Sequence, residues 1–599
     1  IRSVTRLLGK RPRTFWEEEF DFFPQLPQIL RGAGYEYASL FFQWTWHTPH
    51  IPKEEIPAVW WEGMDGSRIL AATRNDLNLH QWPEDFQGLL DSPLLRRMPV
   101  AGIVQWLEMM PSPDWMCRSE LLLPPLRRLL EDPRFEIRFA TLPEYLENAR
   151  PHAVPRRYTM DDVFHGVSLG KNGDRMRRFS RAAEQEALAA ESLSALAGIL
   201  GRPYAGWDVY PVWEMEEAWR ELLAAQHHDN DECEGLCGSV GARSYGRSLG
   251  LSGDVLRRTM RHLVRRAGVR RGGWLVYNPL GWPRRGRVDD PATGRNLGCC
   301  DLPAFGYRVV SGPGDLLPAA PVRVEETGSA IALRRGDLRV TVDRARGVVA
   351  QIAAGGFPRG ILRPDLPLAD LEMAREGRAE RFERASVRAG EAAGIPCVTV
   401  LRTAASGEEV EVTVTLAPDL DAVDIRYRSE RIPRPDPRMH AALKTPLAAD
   451  LPGARLVHDH PYGVGEIRAD GTYARKYPTG DWMTSPQVFE EIRRPFTALQ
   501  LLDLDAGDRG LLYLHDGSQA FLREEDRVWN LLSMYDAWDE DRFVASLDAR
   551  VRIVPHGRIS HAERWRMAQE FTRPPRAEPG EGGEGGGAGL PGSLAGIRC

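Results

Sequence analysis

The sequence predicts a multidomain protein with an α/β part, a helical part and a β part, in that order. Three observations support this prediction. The 599 residues are enough for roughly three to five units of about 150 residues each. Helix-like and strand-like segments alternate in the first quarter of the chain, and amphipathic helical segments follow. Short alternating strands joined by turns occupy the rest, which is typical of antiparallel sheets.

The α/β part is predicted to span residues 1–175. Residues 24–34 have the pattern of a helix that ends at a glycine, and residues 35–42 have the pattern of a strand. A buried strand over 99–110 and a helix over 124–132 continue the alternation. We therefore expect a parallel sheet with crossover helices.

The middle part, residues 176–268, is predicted to be a bundle of three helices. Apolar residues recur there at spacings of three and four, so each helix has one apolar face. The three segments with this pattern are 181–200, 212–229 and 252–268. Residues 230–238, which contain glycine, are expected to be irregular.

Residues 272–572 are predicted to form a large antiparallel β-sandwich. The segments 338–356, 408–428 and 509–522 alternate apolar and polar residues and are interrupted by turn residues. Residues 573–599 are rich in Gly and Pro and carry few large apolar side chains. We expect them to form a disordered tail, because they cannot bury enough surface to offset the entropy of ordering.

Composition excludes several classes of protein. The net charge is −6, and the 78 basic and 84 acidic residues are interspersed, so we expect no nucleic-acid partner. No segment has the roughly 18 consecutive apolar residues of a membrane span, so we expect no membrane partner. Seven cysteines, an odd number, favour a reducing compartment, and the excess of Arg over Lys is typical of a GC-rich bacterial genome. A bacterial cytoplasmic location is therefore expected.

A first candidate site lies at the end of the predicted helix 212–229, at His227, His228 and Asp229. Imidazole and carboxylate groups at a helix-to-loop corner can bind a divalent metal and a sugar hydroxyl together. The alternative is that both histidines stabilise the C-terminus of the helix through its dipole.

Two further candidates are carboxylates near strand ends. Glu18 lies in an acidic run just before a rigid Pro-Gln-Leu-Pro turn, and Glu108 lies where a buried strand breaks into a Pro-rich loop. Barrel enzymes place acids and bases at such strand ends. The alternative for the acidic run is the solvated first turn of a helix.

Taken in order, these segments resemble glycoside hydrolase family 38, the zinc-dependent retaining α-mannosidases. The resemblance covers the chain up to about residue 572. It implies that residues 1–175 are the C-terminal part of a (β/α)7-type barrel catalytic domain. The strings that carry it are PQLPQIL at 24–30, WEGMDGS at 61–67, AWRELLAAQHHD at 218–229, NPLGWPRRG at 278–286 and DLPAFGY at 301–307.

The resemblance also implies roles for single residues. His228 would be a zinc ligand, and Asp229 would bind a sugar hydroxyl. Glu18 occupies the position of the nucleophile, which also contacts zinc, although the family has Asp there. Glu108 lies near the acid/base position. The other two zinc ligands of the family come from an H-x-D motif, which we expect to precede Ile1.

The function expected from the resemblance is hydrolysis of terminal α-mannosyl linkages with retention, using zinc that chelates the O2 and O3 hydroxyls. Mannosides are the expected partners, and a homo-oligomer is left open. Two alternatives also remain open. One is a catalytically impaired carbohydrate-binding relative, suggested by Glu18 in place of Asp. The other is a related glycosidase with a different sugar specificity.

Overall fold

The computed structural model describes residues 1–16, 23–40, 54–75, 77, 91–102, 123–159, 173–200, 210–227, 235–317, 320–375, 378–431, 441–447, 449–467, 496–524, 527–534 and 546–581. These fall into two compact units, one with the described residues up to 159 and the other with those from 173 onward. None of the described helices combines the length and the apolar character needed to cross a membrane. The helices in this part of the chain are α1 Arg2–Leu8, α2 Leu26–Ala33, α3 Pro93–Arg97, α4 Leu123–Leu130, α5 Leu142–Ala149, α6 Gly173–Ile199, α7 Val212–Ala225, α8 Gly235–Arg266 and α9 His561–Thr572.

The first unit is built on a five-stranded mixed sheet of order β1-β2-β4-β3-β5. Strands β1, β2 and β4 are parallel, as predicted, but β3 is antiparallel to β4. The expectation of a parallel sheet was therefore wrong for β3 and β5, because a tight turn makes β3 and β4 a hairpin and β5 is parallel to β3. Helix α2 confirms the predicted helix and ends at Gly34, whose φ of 88° suits glycine. The strands are β1 Thr14–Phe15, β2 Tyr37–Ser39, β3 Ala58–Glu62, β4 Arg68–Ala72 and β5 Val154–Arg156.

Helices α6, α7 and α8 pack against one another in the second unit. The side chains in their contact faces are small or apolar, and Leu193, Leu222 and Leu263 are fully buried among them. The three predicted helices are confirmed. The expectation of an irregular stretch over 230–238 was wrong from Gly235 onward, where α8 begins.

The rest of the second unit is almost entirely antiparallel sheet. Sheets of four, six and nine strands, of orders β10-β11-β12-β13, β15-β14-β20-β27-β26-β23 and β16-β17-β18-β19-β28-β25-β24-β21-β22, contribute side chains to one apolar core. Smaller sheets have the orders β29-β6-β9 and β7-β8. The strands are β6 Trp274–Tyr277, β7 Arg284–Asp289, β8 Asn296–Leu302, β9 Tyr307–Val310, β10 Arg323–Glu326, β11 Ala330–Arg335, β12 Leu338–Asp343, β13 Val349–Ala353, β14 Glu372–Arg375, β15 Arg378–Arg381, β16 Arg384–Ala392, β17 Ile395–Thr403, β18 Glu409–Leu416, β19 Val423–Ser429, β20 Ala441–Leu447, β21 Arg455–His460, β22 Gly463–Glu466, β23 Phe496–Thr497, β24 Leu501–Asp505, β25 Arg509–His515, β26 Ala520–Glu524, β27 Arg527–Met534, β28 Leu547–Gly557 and β29 Arg576–Pro579.

Strand β29 corrects the expectation of a disordered tail from residue 573. It pairs antiparallel with β6, so that Arg576 faces Tyr277 in the register. Glu578 also accepts a hydrogen bond from Arg261 on α8 at 3.1 Å. Backbone pairing and this ion pair order a segment that has little apolar surface of its own. Residues 582–599 lie outside the described part of the chain.

Candidate active site

The four residues predicted to form the site, Glu18, Glu108, His228 and Asp229, all lie outside the described residues. The structure therefore leaves their proximity untested. It does describe the elements on either side of them. Glu18 follows β1 by three positions, and His228 follows α7 by three positions.

Strand β1, the element before Glu18, helps to define one edge of the mixed sheet. Because β1, β2 and β4 are parallel, their carboxyl ends lie at one edge, with Phe15 level with Ala38 and Ser39 level with Ala72. In α/β proteins the carboxyl ends of parallel strands are the usual place for ligands and catalytic groups. Strand β1, which the acidic run follows in the sequence, ends at this edge.

Described polar residues are buried at the same edge, immediately after β4. Thr73, Arg74 and Asn75 are only 1%, 2% and 3% exposed. The Thr73 hydroxyl donates to the Ile56 carbonyl at 2.5 Å and accepts from Asn75 Nδ2 at 3.1 Å. Asn75 Oδ1 in turn accepts from the Leu77 amide at 2.9 Å. The chain beyond β4 is thereby fixed by hydrogen bonds.

Arg74 is a residue that the sequence analysis did not select. A guanidinium that is 98% buried needs acceptors around it, since an unpaired buried charge is costly. Its position two residues after the apolar strand β4 was the signal available in the sequence, but that signal does not predict its burial. Arg74 therefore joins the candidate residues as a buried positive charge at the sheet edge.

The second element is the C-terminal end of α7, where the helix-to-loop corner was predicted. Helix α7 ends at Ala225, and the amides of Gln226 and His227 bond to carbonyls of its last turn. Gln226 Nε2 also donates to Ser180 on α6 at 3.3 Å. The corner from which residues 228 and 229 continue is therefore held against a neighbouring helix.

Two of the strings that carry the family resemblance contact each other in the first unit. The WEGMDGS string is the β3–β4 hairpin, in which Asp65 accepts from the amide and hydroxyl of Ser67, both at 2.9 Å. Those hydrogen bonds lower the pKa of Asp65. The Asp65 amide donates to Gln28 of the PQLPQIL string at 3.2 Å. These two strings therefore build one local structure.

The NPLGWPRRG and DLPAFGY strings are joined in the same way in the second unit. Asn278 is fully buried, and its amide group donates to the carbonyls of Trp282 and Pro303 at 2.9 and 2.8 Å. Its side-chain oxygen accepts from the Leu280 amide at 3.1 Å. The NPLGWPRRG and DLPAFGY strings are therefore joined by a buried contact with a structural role.

The described cysteines are unsuited to nucleophilic catalysis. Cys299, Cys300 and Cys397 are buried free thiols. Burial raises the pKa of Cys299 and Cys300 to about 11, so the reactive thiolate is scarce at neutral pH.

A zinc site is not formed by the residues that the structure describes, since no group of three or more His, Cys, Asp or Glu side chains converges among them. The proposed donors, His228 and Glu18, are of a chemical type that binds zinc, imidazole nitrogen and carboxylate oxygen. They follow the two fixed elements described above.

Comparison with known proteins identifies the fold. No protein-family model matches the sequence, and no curated protein matches it. The crystal structure of an alpha-mannosidase from Enterococcus faecalis V583 matches with a TM-score of 0.62 at 12% identity, covering 96% of this chain and 78% of the other. A protein in the glycosyl hydrolase family 38, also from Enterococcus faecalis, matches with a TM-score of 0.62 at 12% identity, covering 97% and 77%. At this identity the likeness shows a common fold.

Proposed function

We propose that this chain, which shares its fold with family 38 glycosyl hydrolase structures, is a glycosidase that hydrolyses terminal α-mannosyl linkages with retention. The observation that carries the proposal is the fold match over 96% of the chain to a protein described as an alpha-mannosidase. The contacts between the resembling strings, through Gln28 and Asn278, support it independently.

The proposed chemistry uses two carboxyl groups. The Glu18 carboxylate attacks the anomeric carbon while the bond to the departing oxygen breaks, and Glu108 donates its proton to that oxygen. Glu108 then takes a proton from water, and the water oxygen attacks the anomeric carbon and releases Glu18. Two inversions at one carbon give net retention, for which carboxyl groups about 5 Å apart are typical.

The remaining roles concern the sugar hydroxyls. Asp229 would accept a hydrogen bond from one of them. His228 and Glu18 would contribute ligands to zinc, which when bound would hold the O2 and O3 hydroxyls of the mannosyl ring. The fixed end of α7 keeps the backbone before His228 in one place, as a metal ligand requires.

The test is hydrolysis of 4-nitrophenyl α-mannoside by the full chain with added zinc, and NMR identification of the first anomer released. Glu18→Gln should lower kcat by about 10³-fold or more, since it removes the nucleophile. His228→Ala should lower both activity and bound zinc. His227→Ala, the neighbouring imidazole, is the matched control and should retain zinc and activity within about twofold.

The outcomes separate the candidate functions. An inverted first product, or equal effects of His227→Ala and His228→Ala, would contradict the proposed mechanism. Cleavage of another aryl glycoside in place of the mannoside would indicate a changed sugar specificity. Binding of mannosides without turnover would favour the carbohydrate-binding alternative that Glu18 in place of Asp suggests.

A further inference from the structure

Trp282, which is half-buried, and Trp565 contact each other in the second unit, and we call them, together with the neighbouring Phe305, the aromatic platform. Trp282 and Trp565 have ring centroids 5.4 Å apart and planes tilted by 50°. The Phe305 ring lies against Gly281, the residue before Trp282. Phe305 and Trp565 are 44% and 43% exposed. Large aromatic groups grouped at the surface in this way are typical of binding sites.

The platform is held in place by the backbone beneath it. The Phe305 amide donates to the Leu280 carbonyl at 2.8 Å, beside the Asn278 hydrogen bonds already described. Phe305 has a φ of 40°, a left-handed conformation that is costly for a bulky side chain. A Cβ on Gly281 would lie 2.9 Å from Phe305 Cε2, so only glycine leaves room for the ring.

This strained conformation keeps an apolar ring at the surface, where folding gains little from it. Strain of this kind is concentrated at functional sites. Trp565 is also held on a well-defined helix, because Ser560 and Glu563 form a capping box at the N-terminus of α9. The platform is therefore ordered before any ligand arrives.

Polar groups of both signs border the rings. Trp282 Nε1 donates to Glu570 Oε1 at 2.8 Å. The second carboxylate oxygen of Glu570 has no hydrogen-bond partner among the described residues. The exposed Arg566 guanidinium lies 5.8 Å from the Trp282 ring centroid.

We propose that the aromatic platform binds a neutral pyranose chain. The face of an aromatic ring is negative, so it attracts the polarised C–H groups on the apolar face of a pyranose. Glu570 would accept hydrogen bonds from sugar hydroxyls, and Arg566 would donate to them. This binding site is additional to the proposed hydrolysis and needs no turnover.

Affinity electrophoresis of the full chain tests the proposal, in native gels that contain yeast mannan, dextran or no polysaccharide. We expect mannan or dextran to retard the protein, and retardation by mannan alone would tie the site to the substrate class of the proposed enzyme. Trp565→Ala and Phe305→Gly should weaken the apparent affinity at least tenfold. Phe305→Gly removes the ring and also relieves the strained backbone, so it should fold.

Trp213→Ala is the matched control, since Trp213 is 65% exposed on α7. It should be retarded like the unchanged protein. Absence of retardation in both polysaccharides would overturn the proposal, as would equal retardation of the Trp565→Ala and Trp213→Ala variants. Self-association that Trp565→Ala abolishes, without any retardation, would show that a second copy of the chain occupies the platform. Retardation in a protein that fails to cleave any aryl glycoside would overturn the proposed hydrolysis and leave this inference standing.

Discussion

Arg564 on α9 and Asp503 on β24 form a buried ion pair, with 2.6 Å between Nε and Oδ2. Asp503 is fully buried and Arg564 is 3% exposed. The other Asp503 oxygen lies 2.9 Å from His556 Nε2, and Arg564 also contacts Asp505 at 3.1 Å. This network attaches α9 to the nine-stranded sheet.

Removing one charge of this pair should destabilise the protein strongly. Asp503→Asn removes the nearer of the two carboxylates that contact the buried Arg564 guanidinium and leaves Asp505 at 3.1 Å. We expect a loss of about 3 kcal/mol in the free energy of unfolding. Urea denaturation measures it. The control is Asp548→Asn at the exposed Arg426–Asp548 pair, whose N···O distance is also 2.6 Å. It should cost no more than about 1 kcal/mol, and equal losses would contradict the prediction.

Asp459 should make the folded state less stable as the pH rises. Burial raises the pKa of its carboxyl from 3.8 to about 6. Between about pH 4 and pH 6 the folded state keeps a proton that the unfolded state has lost, so the free energy of unfolding falls across this window. Asp459→Asn keeps an acceptor for the amides of Gln500 and Leu501 and removes the titration. We expect the variant to gain about 2–3 kcal/mol relative to the unchanged protein between pH 4 and pH 7. If the curves of unfolding free energy against pH were parallel for Asp459→Asn and the unchanged protein, the predicted titration of Asp459 would be contradicted.

His515 should make the folded state less stable as the pH falls. Burial lowers the pKa of its imidazole from 6.5 to about 3. As the pH falls below 6.5 the unfolded state binds a proton that the folded state excludes, so the folded state loses stability. We expect His515→Asn to gain about 3 kcal/mol relative to the unchanged protein between pH 7 and pH 4, as measured by urea unfolding at both values. Because Asp459 opposes His515 in this range, only the comparison with the variant isolates the effect. If the two proteins differed in unfolding free energy by the same amount at pH 7 and at pH 4, His515 would not titrate in this way.

Glu18→Asp tests whether the proposed pocket is adapted to the longer side chain. Shortening the side chain by one methylene moves the attacking oxygen by about 1.5 Å, and a displacement of this size costs about 10²-fold in rate. We expect kcat for the aryl α-mannoside to fall by about that factor, and the zinc content to fall as well, because Glu18 is also a proposed zinc ligand. A higher kcat in Glu18→Asp would instead show that Glu18 is an impaired form of the nucleophile.

Much of the helical and strand pattern could be predicted because it depends on local periodicity. The apolar residues of α7, Met215, Ala218, Leu222 and Ala225, follow the helical repeat and are all buried. The start of α8 could not be predicted in this way, because its first half carries several glycines, each of which costs an isolated helix about 1 kcal/mol. Packing compensates for that cost, since Tyr245 on α8 is fully buried with its ring 5.7 Å from that of Phe179.

The features that sequence reasoning missed depend on contacts between distant residues. Strand β29 forms because β6, which begins 302 positions earlier in the chain, offers it hydrogen bonds, as in the pair Arg576 and Tyr277. No local pattern encodes this pairing. Arg74 was missed because its burial follows from the packing of the sheet edge. The proposed residues Glu18, Glu108, His228 and Asp229 were selected by resemblance, and their roles stay predictions.

The pairing of β6 with β29 places the two ends of the β-rich part side by side. Trp274, at the start of β6, faces Pro579, at the end of β29. A pulling force applied across these two strands would load their hydrogen bonds before it reached the large sheets.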